Sequence, residues 1–474
     1  MSSIVNQFKD FIKQHKYDIK DHQLKGFEWC YNRETSTELS RGGLLCDEMG
    51  LGKTLMMISC MKLNPMKNTL LVVPKSLIGQ WKEKITLLLG KKPKLFHGIY
   101  AKSFIENAEL DEQIEWLSKN VYITTYGMLN SVLNKVTWER IIYDEAHNMR
   151  EQKTKVFKNA LKINGKIKWM VTGTPIQNKW DDVVTLCKLL NFPGTDTAFA
   201  KGSSTSIQRD FIQNFMLIRT TKQVKIKMPK LKVEIIKVAP KSKDEKSLMT
   251  DIHSMLLCTK VNKTLDFPLV NKMSTSHLAY LIRAKQSCSH SKMVEKSLLK
   301  NCENREDSIP DFTNIGTSKL TQLIKTIESH DKKVKKLIFY TFNQEKAFIE
   351  KMLKAKNYKV GVVNGKISIK NKNKIVKSLD YDVLLVQIKA GSDGLNLQQY
   401  GEVYFVSPHW NPAVEKQAIA RIYRIGQLAS KVNVYYLIST FDIKNSYTLD
   451  EYCMEIKRNK QEQIDFLFKD SDLK

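Results

Sequence analysis

The stretch GGLLCDEMGLGKTLMMI, Gly42–Ile58, decides the fold of the chain around it. A short apolar run, a glycine-containing loop and a second apolar run are typical of a strand, a phosphate-binding loop and a helix. Gly50 and Gly52 let the backbone approach a polyphosphate, and N–H groups of the loop and of the helix N-terminus would face the anion. Lys53 would reach the β- and γ-phosphates, and the Thr54 hydroxyl would ligate Mg²⁺.

One position departs from the general phosphate-loop pattern. That pattern has glycine five residues before Gly52, where this chain has Asp47. An ordinary strand, turn and helix is therefore the alternative interpretation of the loop, and the rest of the chain must decide between the two.

The overall charge of the chain points to a polyanionic partner. Its 474 residues include 77 Lys and Arg against 49 Asp and Glu, a net charge of +28. This length allows about two to four domains. The charge favours nucleic acid first and an anionic membrane surface second, with a solvated lysine-biased surface as the alternative.

Several protein classes are excluded by pattern. No apolar run approaches the ~18 residues of a membrane span, so we expect no membrane partner. The first 18 residues have apolar side chains at helical spacing interrupted by charge, which predicts an amphipathic helix and not a secretory signal. The 8 cysteines form no Cys-x-x-Cys pair, so neither a zinc ribbon nor a disulfide framework is indicated, and we expect an intracellular protein.

Apolar runs alternate with helical patterns in two parts of the chain, which predicts two parallel α/β sheets. The predicted strands are Asn68–Pro74, Asn120–Tyr126, Arg140–His147 and Lys168–Pro175, and later Lys335–Thr341, Lys359–Gly365, Tyr381–Gln387, Gly401–Ser407 and Lys431–Leu437. The stretch between the two parts is rich in lysine and mostly helical in pattern. Ligands of such sheets bind at the carboxyl ends of the strands, where the polar loops of this chain fall.

Two polar loops follow predicted strands of the first sheet. In YDEAH, residues 143–147, Asp144 would hold Mg²⁺ through its water shell and Glu145 would act as general base on the attacking water. The alternative is that the two acids only cap a helix. In TGTP, residues 172–175, the hydroxyls could sense the γ-phosphate, and a plain turn is the alternative.

A third motif lies in the second predicted α/β part of the chain. In QAIARIYRIGQ, Gln417–Gln427, Arg421 and Arg424 are three residues apart and would share one face of a helix. Two guanidinium groups reaching the nucleotide would stabilise charge on a transferring phosphoryl group. A surface helix with two solvated arginines is the alternative.

The order and the residue sequences of these motifs resemble those of the Swi/Snf-type branch of superfamily two helicases, which are ATP-dependent translocases on double-stranded DNA. The resemblance covers about Ile19 to Leu467, and DEMGLGKT is the form of the phosphate loop that the family itself uses, Asp47 included. The matching segments, in family order, are IKDHQLKGFEW, DEMGLGKT, LLVVPKSLIGQW, DEAH, MVTGTPIQN, LIRAKQSCSH, TSKL, AGSDGLNL, PHWNP and ARIYRIGQ.

The resemblance implies an α/β fold with two RecA-like parallel-sheet lobes in tandem and a mainly helical insertion between them. The expected parts are an N-terminal amphipathic helix (1–18), an ATP-binding lobe (19–221), a helical linker or insertion (222–316), a C-terminal helicase lobe (317–467) and a tail (468–474).

The resemblance also implies the site residues, with ATP and Mg²⁺ as cofactors. The catalytic residues would be Lys53, Asp144, Glu145, Arg421 and Arg424, with Thr54 and Asp144 at the metal. The ATP-binding residues would be Gln23, at the adenine base, and Asp47, Glu48, Met49, Gly50, Leu51, Gly52, Lys53 and Thr54. The residues that couple ATP to DNA would be Thr172, Gly173, Thr174, Gly391, Asn396, Trp410 and Gln417.

The path of the DNA is implied only in outline. Contacts would be made mainly to phosphates, so binding would be independent of sequence and sensitive to salt. Further candidates are Lys75, Gln80, Trp81, Thr124, Asn364 and Lys366, with helix packing as the alternative role of Trp81. The lysine-rich stretch Lys354–Lys377 is either a phosphate track or a solvated helix face.

The chain departs from the family pattern at a few positions. Arg219-Thr220-Thr221-Lys222 replaces the usual Arg-Arg-Thr-Lys, and Ser392 and Asp393 stand where small residues are usual. Asn148 and Lys372 stand where the family often has arginine. These changes bear on DNA affinity and coupling more than on hydrolysis.

The resemblance thus implies a DNA-dependent ATPase that translocates on double-stranded DNA, with the nucleosome and the transcription machinery as candidate partners. A viral transcription-coupled ATPase is one alternative, because the chain is short for the family and lacks an obvious chromatin-reading segment. A strand-separating helicase is the other. We expect it in the nucleus, or in a viral factory or virion. A non-catalytic DNA-binding scaffold would predict a broken site, whereas the motif residues here are present.

Overall fold

A computed structural model describes residues 3–37, 41–98, 101, 109–129, 131–177, 180–224, 228–258, 275–295, 317–378, 380–391, 395–424, 426–441 and 447–468. The chain forms two compact units. Lobe 1 comprises Met1–Ile226 with Glu462–Lys474, and lobe 2 comprises Lys227–Gln461.

Lobe 1 is built on one sheet in which each strand runs parallel to its neighbours. The strands are β1 (Arg41–Leu45), β2 (Asn68–Val73), β3 (Lys94–Phe96), β4 (Asn120–Thr125), β5 (Trp138–Asp144), β6 (Gly165–Val171) and β7 (Met216–Leu217). Their order in the sheet is β3-β4-β2-β5-β6-β1-β7. Such a sheet needs covering on both faces, and the fully buried β2 sends Leu70 and Val72 to one hydrophobic cluster and Leu71 and Val73 to another.

Helices cover this sheet. They are α1 (Ser3–Gln14), α2 (Asp21–Thr35), α3 (Lys53–Leu63), α4 (Ile78–Leu89), α5 (Leu110–Leu117), α6 (Ser131–Asn134), α7 (Lys155–Leu161), α8 (Asp181–Leu190), α9 (Thr195–Ala198) and α10 (Thr205–Gln213). The predicted N-terminal amphipathic helix is α1, whose Phe8 stacks on Phe27 of α2 at a centroid distance of 4.4 Å. Short 3₁₀ helices span Lys75–Leu77, Tyr126–Met128 and Ala146–Met149.

Lobe 2 repeats the architecture with a second parallel sheet. Its strands are β8 (Lys230–Val238), β9 (Lys336–Tyr340), β10 (Val360–Val363), β11 (Val383–Gln387), β12 (Glu402–Phe405) and β13 (Lys431–Ser439), in the order β10-β11-β9-β12-β13-β8. The helices that begin in this lobe are α11 (Lys243–Cys258), α12 (Thr275–Ser289), α13 (Ser318–Glu328), α14 (Asn343–Ala355), α15 (Ile369–Lys377), α16 (Ile388–Gly391), α17 (Pro412–Ala420) and α18 (Leu449–Phe468). A 3₁₀ helix spans Ser291–Met293.

The predicted fold class is confirmed, because all nine predicted strands lie in two parallel sheets. The structure differs at β8, which lies in the stretch predicted as a helical linker and pairs along its length with β13. Lys230 and Lys232 alternate with Leu231, Val233 and Ile235, which is a strand pattern, but it differs from the continuous apolar runs by which the other strands were predicted. Part of the predicted insertion, residues 259–274 and 296–316, lies outside the described residues, as do Ser392 and Asp393.

Within the described part of the chain, no helix is both long enough and apolar enough to span a bilayer.

Candidate active site

Three loops of lobe 1 begin at the carboxyl ends of adjacent strands in its sheet. Across the parallel strands, Leu45 at the end of β1 lies opposite Val171 at the end of β6, and Val171 lies opposite Asp144 at the end of β5. The phosphate loop, the acid pair and the TGTP loop follow these three residues. The register therefore brings together the motifs that the sequence placed at strand ends.

The phosphate loop requires two glycines. Gly50 and Gly52 have φ angles of 93° and 94°, a left-handed region that side chains disfavour, and α3 begins at the next residue, Lys53. A Cβ on Gly52 would lie 2.3 Å from Nε2 of Gln23, so the Gln23 side chain packs directly on the loop. Gln23 also donates from Nε2 to the carbonyl of Leu51 at 3.4 Å.

The Lys53 side chain turns back into the loop. Its Nζ donates to the carbonyl oxygens of Asp47 at 2.6 Å and of Glu48 at 3.3 Å. Two neutral carbonyls are weaker partners for an ammonium group than a phosphate is. The geometry therefore suits an incoming polyphosphate, and the half-buried Thr54 follows Lys53 in the first turn of α3.

The Asp47 side chain has a partner within the protein, and the role of this residue in ATP binding stays a prediction. Asp47 is fully buried, and its two carboxylate oxygens accept from Arg219, from Nε at 3.0 Å and from Nη2. What Asp47 gives to the loop is its backbone carbonyl, which holds Lys53.

Asp144 sits in a buried polar pocket. Its Oδ2 accepts from Nε1 of Trp81 at 2.6 Å, and its Oδ1 accepts from the backbone N–H of Glu145 at 3.0 Å. Burial and the charge of Glu145 raise the pKa of Asp144 to about 6, while the bond from Trp81 and the charge of Lys53 lower it. Trp81 is only 1% exposed, so it holds Asp144 and cannot contact DNA.

Glu145 has a strained backbone, with φ 53° and ψ 50°. A residue other than glycine in this region costs about 1–3 kcal/mol, and such residues cluster at functional sites. Asn148 supports the conformation by donating to the Glu145 carbonyl from its backbone N–H at 3.1 Å and from Nδ2 at 2.7 Å. Glu145 precedes the 3₁₀ helix Ala146–Met149, yet its side chain makes no capping hydrogen bond, which argues against the helix-cap alternative.

His147 links the acid pair to the TGTP loop. Its Nδ1 lies 3.1 Å from Oγ1 of Thr172, 3.4 Å from Oγ1 of Thr174 and 3.4 Å from Oε2 of Glu145. Burial, and next the charge of Arg150, lower the pKa of His147 to about 3, so the imidazole is neutral at neutral pH. It shares hydrogen bonds with the hydroxyls of Thr172 and Thr174, and as a neutral ring it forms no salt bridge with the Glu145 carboxylate.

Gly173 brings the same loop against the phosphate loop. A Cβ at Gly173 would lie 2.7 Å from Cγ of Met49 and 3.3 Å from Nζ of Lys53. The TGTP loop thus lies against both the phosphate loop and His147.

The residues present fit a magnesium ion that arrives with the nucleotide. Among the described residues, no group of three or more His, Cys, Asp or Glu side chains could hold a metal alone. Mg²⁺ commonly takes one or two protein oxygens together with phosphate oxygens and water. Thr54 and Asp144 supply such oxygens, and the raised pKa of Asp144 marks a carboxylate that a nearby cation would keep ionised.

The two arginines of lobe 2 do not both lie on a helix, which corrects the prediction. Helix α17 ends at Ala420 because its last turn tightens, with Arg421 N–H bonded to the Ala418 carbonyl at 3.2 Å. Arg421 and Arg424 are each half-buried. Burial and the charge of Arg421 lower the pKa of Arg424, so the two guanidinium groups form a concentrated positive charge suited to a polyanion.

The other residues predicted to couple ATP to DNA are spread over lobe 2. Gly391 ends α16, Asn396 is exposed, and Gln417 lies buried on α17. Trp410 is half-buried, with Lys285 Nζ 5.8 Å from the centroid of its indole ring.

Three of the additional DNA candidates lie in two different settings. Asn364 and Lys366 line a cavity of about 480 Å³ together with Asn343, Lys346, Gly365 and Gln387. Thr124 in lobe 1 is fully buried and donates to the Phe96 carbonyl at 2.8 Å, so it is not a DNA contact.

Comparison with known families agrees with this arrangement. Residues 22–293 match the SNF2-related domain, and residues 318–426 match the helicase conserved C-terminal domain. The chain belongs to the SNF2-related family.

Its relatives differ in length. This SNF2-related chain is 23% identical to a DNA repair protein, RAD5B, of Arabidopsis thaliana, over 91% of the chain and 46% of that protein. It is 26% identical to an uncharacterized ATP-dependent helicase of Mycoplasma pneumoniae, over 97% of the chain and 43% of that protein. It is 25% identical to the "Probable global transactivator" of Orgyia pseudotsugata multicapsid polyhedrosis virus, over 94% and 90%. The chain thus spans less than half of the first two relatives.

A solved structure, the Sulfolobus solfataricus SWI2/SNF2 ATPase core in complex with dsDNA, is 24% identical over 97% of the chain and 98% of that structure. The TM-score is 0.41, which supports no closer structural comparison.

Two departures from the SNF2-related pattern have local roles. Asn148 supports Glu145, as described above. Thr220, at the position of the lost arginine, accepts from the Gln223 N–H and donates to Gln223 Oε1 at 3.1 Å. Neither change removes a group from the phosphate loop or from the acid pair.

Proposed function

We propose that this chain is a DNA-dependent ATPase that couples ATP hydrolysis to translocation on double-stranded DNA. The observation that carries the proposal is the meeting of the phosphate loop, the acid pair and the TGTP loop at one sheet edge. A scaffold without catalysis has no use for a strained, supported glutamate beside a phosphate loop.

In this proposal different residues of lobe 1 bind the phosphates, recognise the base, hold the metal and act on the attacking water. The loop N–H groups and Lys53 bind the β- and γ-phosphates, and Gln23 recognises the base. Thr54 and Asp144 would hold Mg²⁺, which neutralises phosphate charge when bound. Glu145 orients the attacking water and accepts its proton, and Thr172 and Thr174 sense the loss of the γ-phosphate through His147.

The proposed DNA partner is supported by charge and by the relatives. A net charge of +28 favours a polyanion, and contacts to phosphates need no particular base sequence. The name of the viral relative, of which the chain covers 90%, favours a transcription-coupled ATPase as the second candidate function. Nucleosomes and the transcription machinery are the two proposed settings for the motor.

Steady-state ATP hydrolysis tests the proposal. We expect duplex DNA to raise turnover by roughly tenfold or more over protein alone, with smaller effects of single-stranded DNA and duplex RNA. DNA affinity should fall steeply with salt because binding releases counterions. Stimulation mainly by single strands or RNA would favour a strand-separating helicase or a transcription-coupled ATPase, and no hydrolysis under any condition would overturn the proposal.

Arg424→Ala should lower kcat by roughly a thousandfold, as loss of an arginine finger does, because transition-state charge loses a partner. We propose that Arg421 and Arg424 act on transition-state charge and not on ground-state binding, so ATP affinity in the absence of DNA should change little. Turnover is measured with saturating duplex DNA, and Arg458→Ala, an exposed arginine on α18, is the matched control. Undiminished turnover in Arg424→Ala would leave the pair as an ordinary basic surface.

A further inference from the structure

The last segment of lobe 1 before the chain enters lobe 2 runs beside the phosphate loop and is hydrogen-bonded to its first residues. The exit segment, Phe215–Thr221, includes β7 and precedes the end of the lobe at Ile226. Its carbonyls at Leu217 and Arg219 accept from the backbone N–H groups of Cys46 at 2.7 Å and of Glu48 at 2.8 Å. The first residues of the loop are therefore bonded to the segment by which the chain leaves the lobe.

A side-chain contact continues this pairing further along the loop. The Glu48 carboxylate accepts from Thr221, from the backbone N–H at 2.6 Å and from Oγ1 at 2.9 Å. Thr221 is one of the residues that the chain shares with the family's Arg-Arg-Thr-Lys motif.

The Arg219 guanidinium joins three parts of the lobe. Besides its two bonds to Asp47, it donates from Nη1 to the His22 carbonyl at 2.7 Å. Its side chain is only 2% exposed, and that of Asp47 is 0% exposed. All three guanidinium nitrogens thus have acceptors, in the loop and in helix α2.

The space for this guanidinium is made by a glycine inside α2. A Cβ on Gly26 would lie 2.5 Å from Nη2 of Arg219 and 2.6 Å from Sδ of Met56 in α3. Glycine inside a helix is unfavourable for helix stability, so its presence here fits a need for room.

Helix α2 touches the loop directly as well. His22, whose carbonyl binds Arg219, places Nε2 3.0 Å from the Leu51 carbonyl, and the next residue, Gln23, packs on Gly52. Arg219 therefore also fixes the helix that carries the proposed adenine contact.

We propose that Arg219 is a positioning residue for nucleotide binding, which holds the phosphate loop in register with the exit segment. The path is short: Arg219 binds the Asp47 carboxylate, and the Asp47 carbonyl binds Nζ of Lys53. A displacement of the exit segment is thereby passed to the lysine that contacts phosphate. This inference rests on the proposed ATPase function and adds to it the residue that shapes its binding loop.

The experiment compares nucleotide binding in the full chain and its variants. Arg219→Lys keeps the charge but cannot reach three acceptors with a planar fork, and Asp47→Asn keeps the shape but loses the charge. We expect each to raise the Kd of a fluorescent ATP analogue and the KM for ATP by about tenfold, with a smaller change in kcat. The double variant should be little worse than either single variant, because both break one interaction.

A second buried pair in lobe 1 supplies the matched control. Glu34 and Arg140 are 0% and 1% exposed, and Arg140 also donates to the Asn64 carbonyl at 2.7 Å, but neither residue touches the phosphate loop. Arg140→Lys should lower the melting temperature and leave the Kd for the analogue unchanged below the melting transition.

The outcomes separate this inference from the proposed function. If the wild-type chain binds and hydrolyses ATP while Arg219→Lys and Asp47→Asn keep its Kd and KM, Arg219 is merely structural and the inference is overturned. A variant that is too unstable to assay is replaced by the other, since the two perturb opposite sides of the pair. If the wild-type chain itself does not bind ATP, the proposed function fails first.

Discussion

Lys53→Ala abolishes ATP hydrolysis, with an expected fall in kcat of at least about a thousandfold. The variant removes the side-chain cation that lies on the Asp47 and Glu48 carbonyls of the phosphate loop. It also removes a charge that lowers the pKa of Asp144, so that the carboxyl becomes harder to ionise beside the nucleotide. Phosphate release under saturating ATP and duplex DNA measures the loss.

Lys62→Ala is the control for this experiment. Lys62 is an exposed lysine in the last turn of the same helix, α3, so the variant changes net charge equally and leaves the loop intact. Full turnover in Lys62→Ala with none in Lys53→Ala would locate the effect in the loop. Retained turnover in Lys53→Ala would remove the phosphate-loop assignment and, with it, the proposed function.

Glu145→Gln binds ATP but hydrolyses it about 10²–10⁴-fold more slowly, the range that a general base contributes. The amide has the size of the carboxylate but cannot accept a proton from water. The charge of Glu145 also raises the pKa of Asp144, so its removal lowers that pKa toward the usual range and leaves Asp144 ionised at neutral pH. Nucleotide binding should therefore persist, with a Kd close to that of the wild type.

Single-turnover hydrolysis and equilibrium binding of the same ATP analogue distinguish the two effects in Glu145→Gln. Glu83→Gln, an exposed glutamate on α4, is the isosteric control and should turn over normally. Wild-type hydrolysis by Glu145→Gln would transfer the role of base to another group. Loss of binding together with hydrolysis would mean that Glu145 supports the loop and does not act on water.

The parts of the site that could be predicted are those that depend on short, continuous stretches of sequence. Lys53, the acid pair and Gly173 each follow a short apolar run, and parallel strands bring such run ends to one edge whatever the details of packing. The strands were predictable for the same reason, because a strand buried on both faces is apolar throughout. Only β8 was missed among the longer strands, since its lysines break that pattern at the edge of the sheet.

The parts that could not be predicted depend on partners far apart in sequence. Trp81 and Asp144 are 63 residues apart, and Asp47 and Arg219 are 172 apart. No local pattern indicates either pairing, so the sequence predicted neither the bond from Arg219 to Asp47 nor the bond from Trp81 to Asp144. The helical placement of Arg421 and Arg424 was wrong for a different reason. Helix α17 ends where its last turn tightens, and periodicity alone does not mark that end.

The buried pair of Asp47 and Arg219 also constrains how this lineage can change. An unpaired charge left in such a position costs about 3–5 kcal/mol, a large share of the stability of most domains. A mutation at either position is therefore tolerated only if the other changes soon afterwards, and a side chain at Gly26 needs Arg219 replaced and Met56 shifted. Substitutions at these three positions, which span nearly two hundred residues, should thus be correlated through evolution.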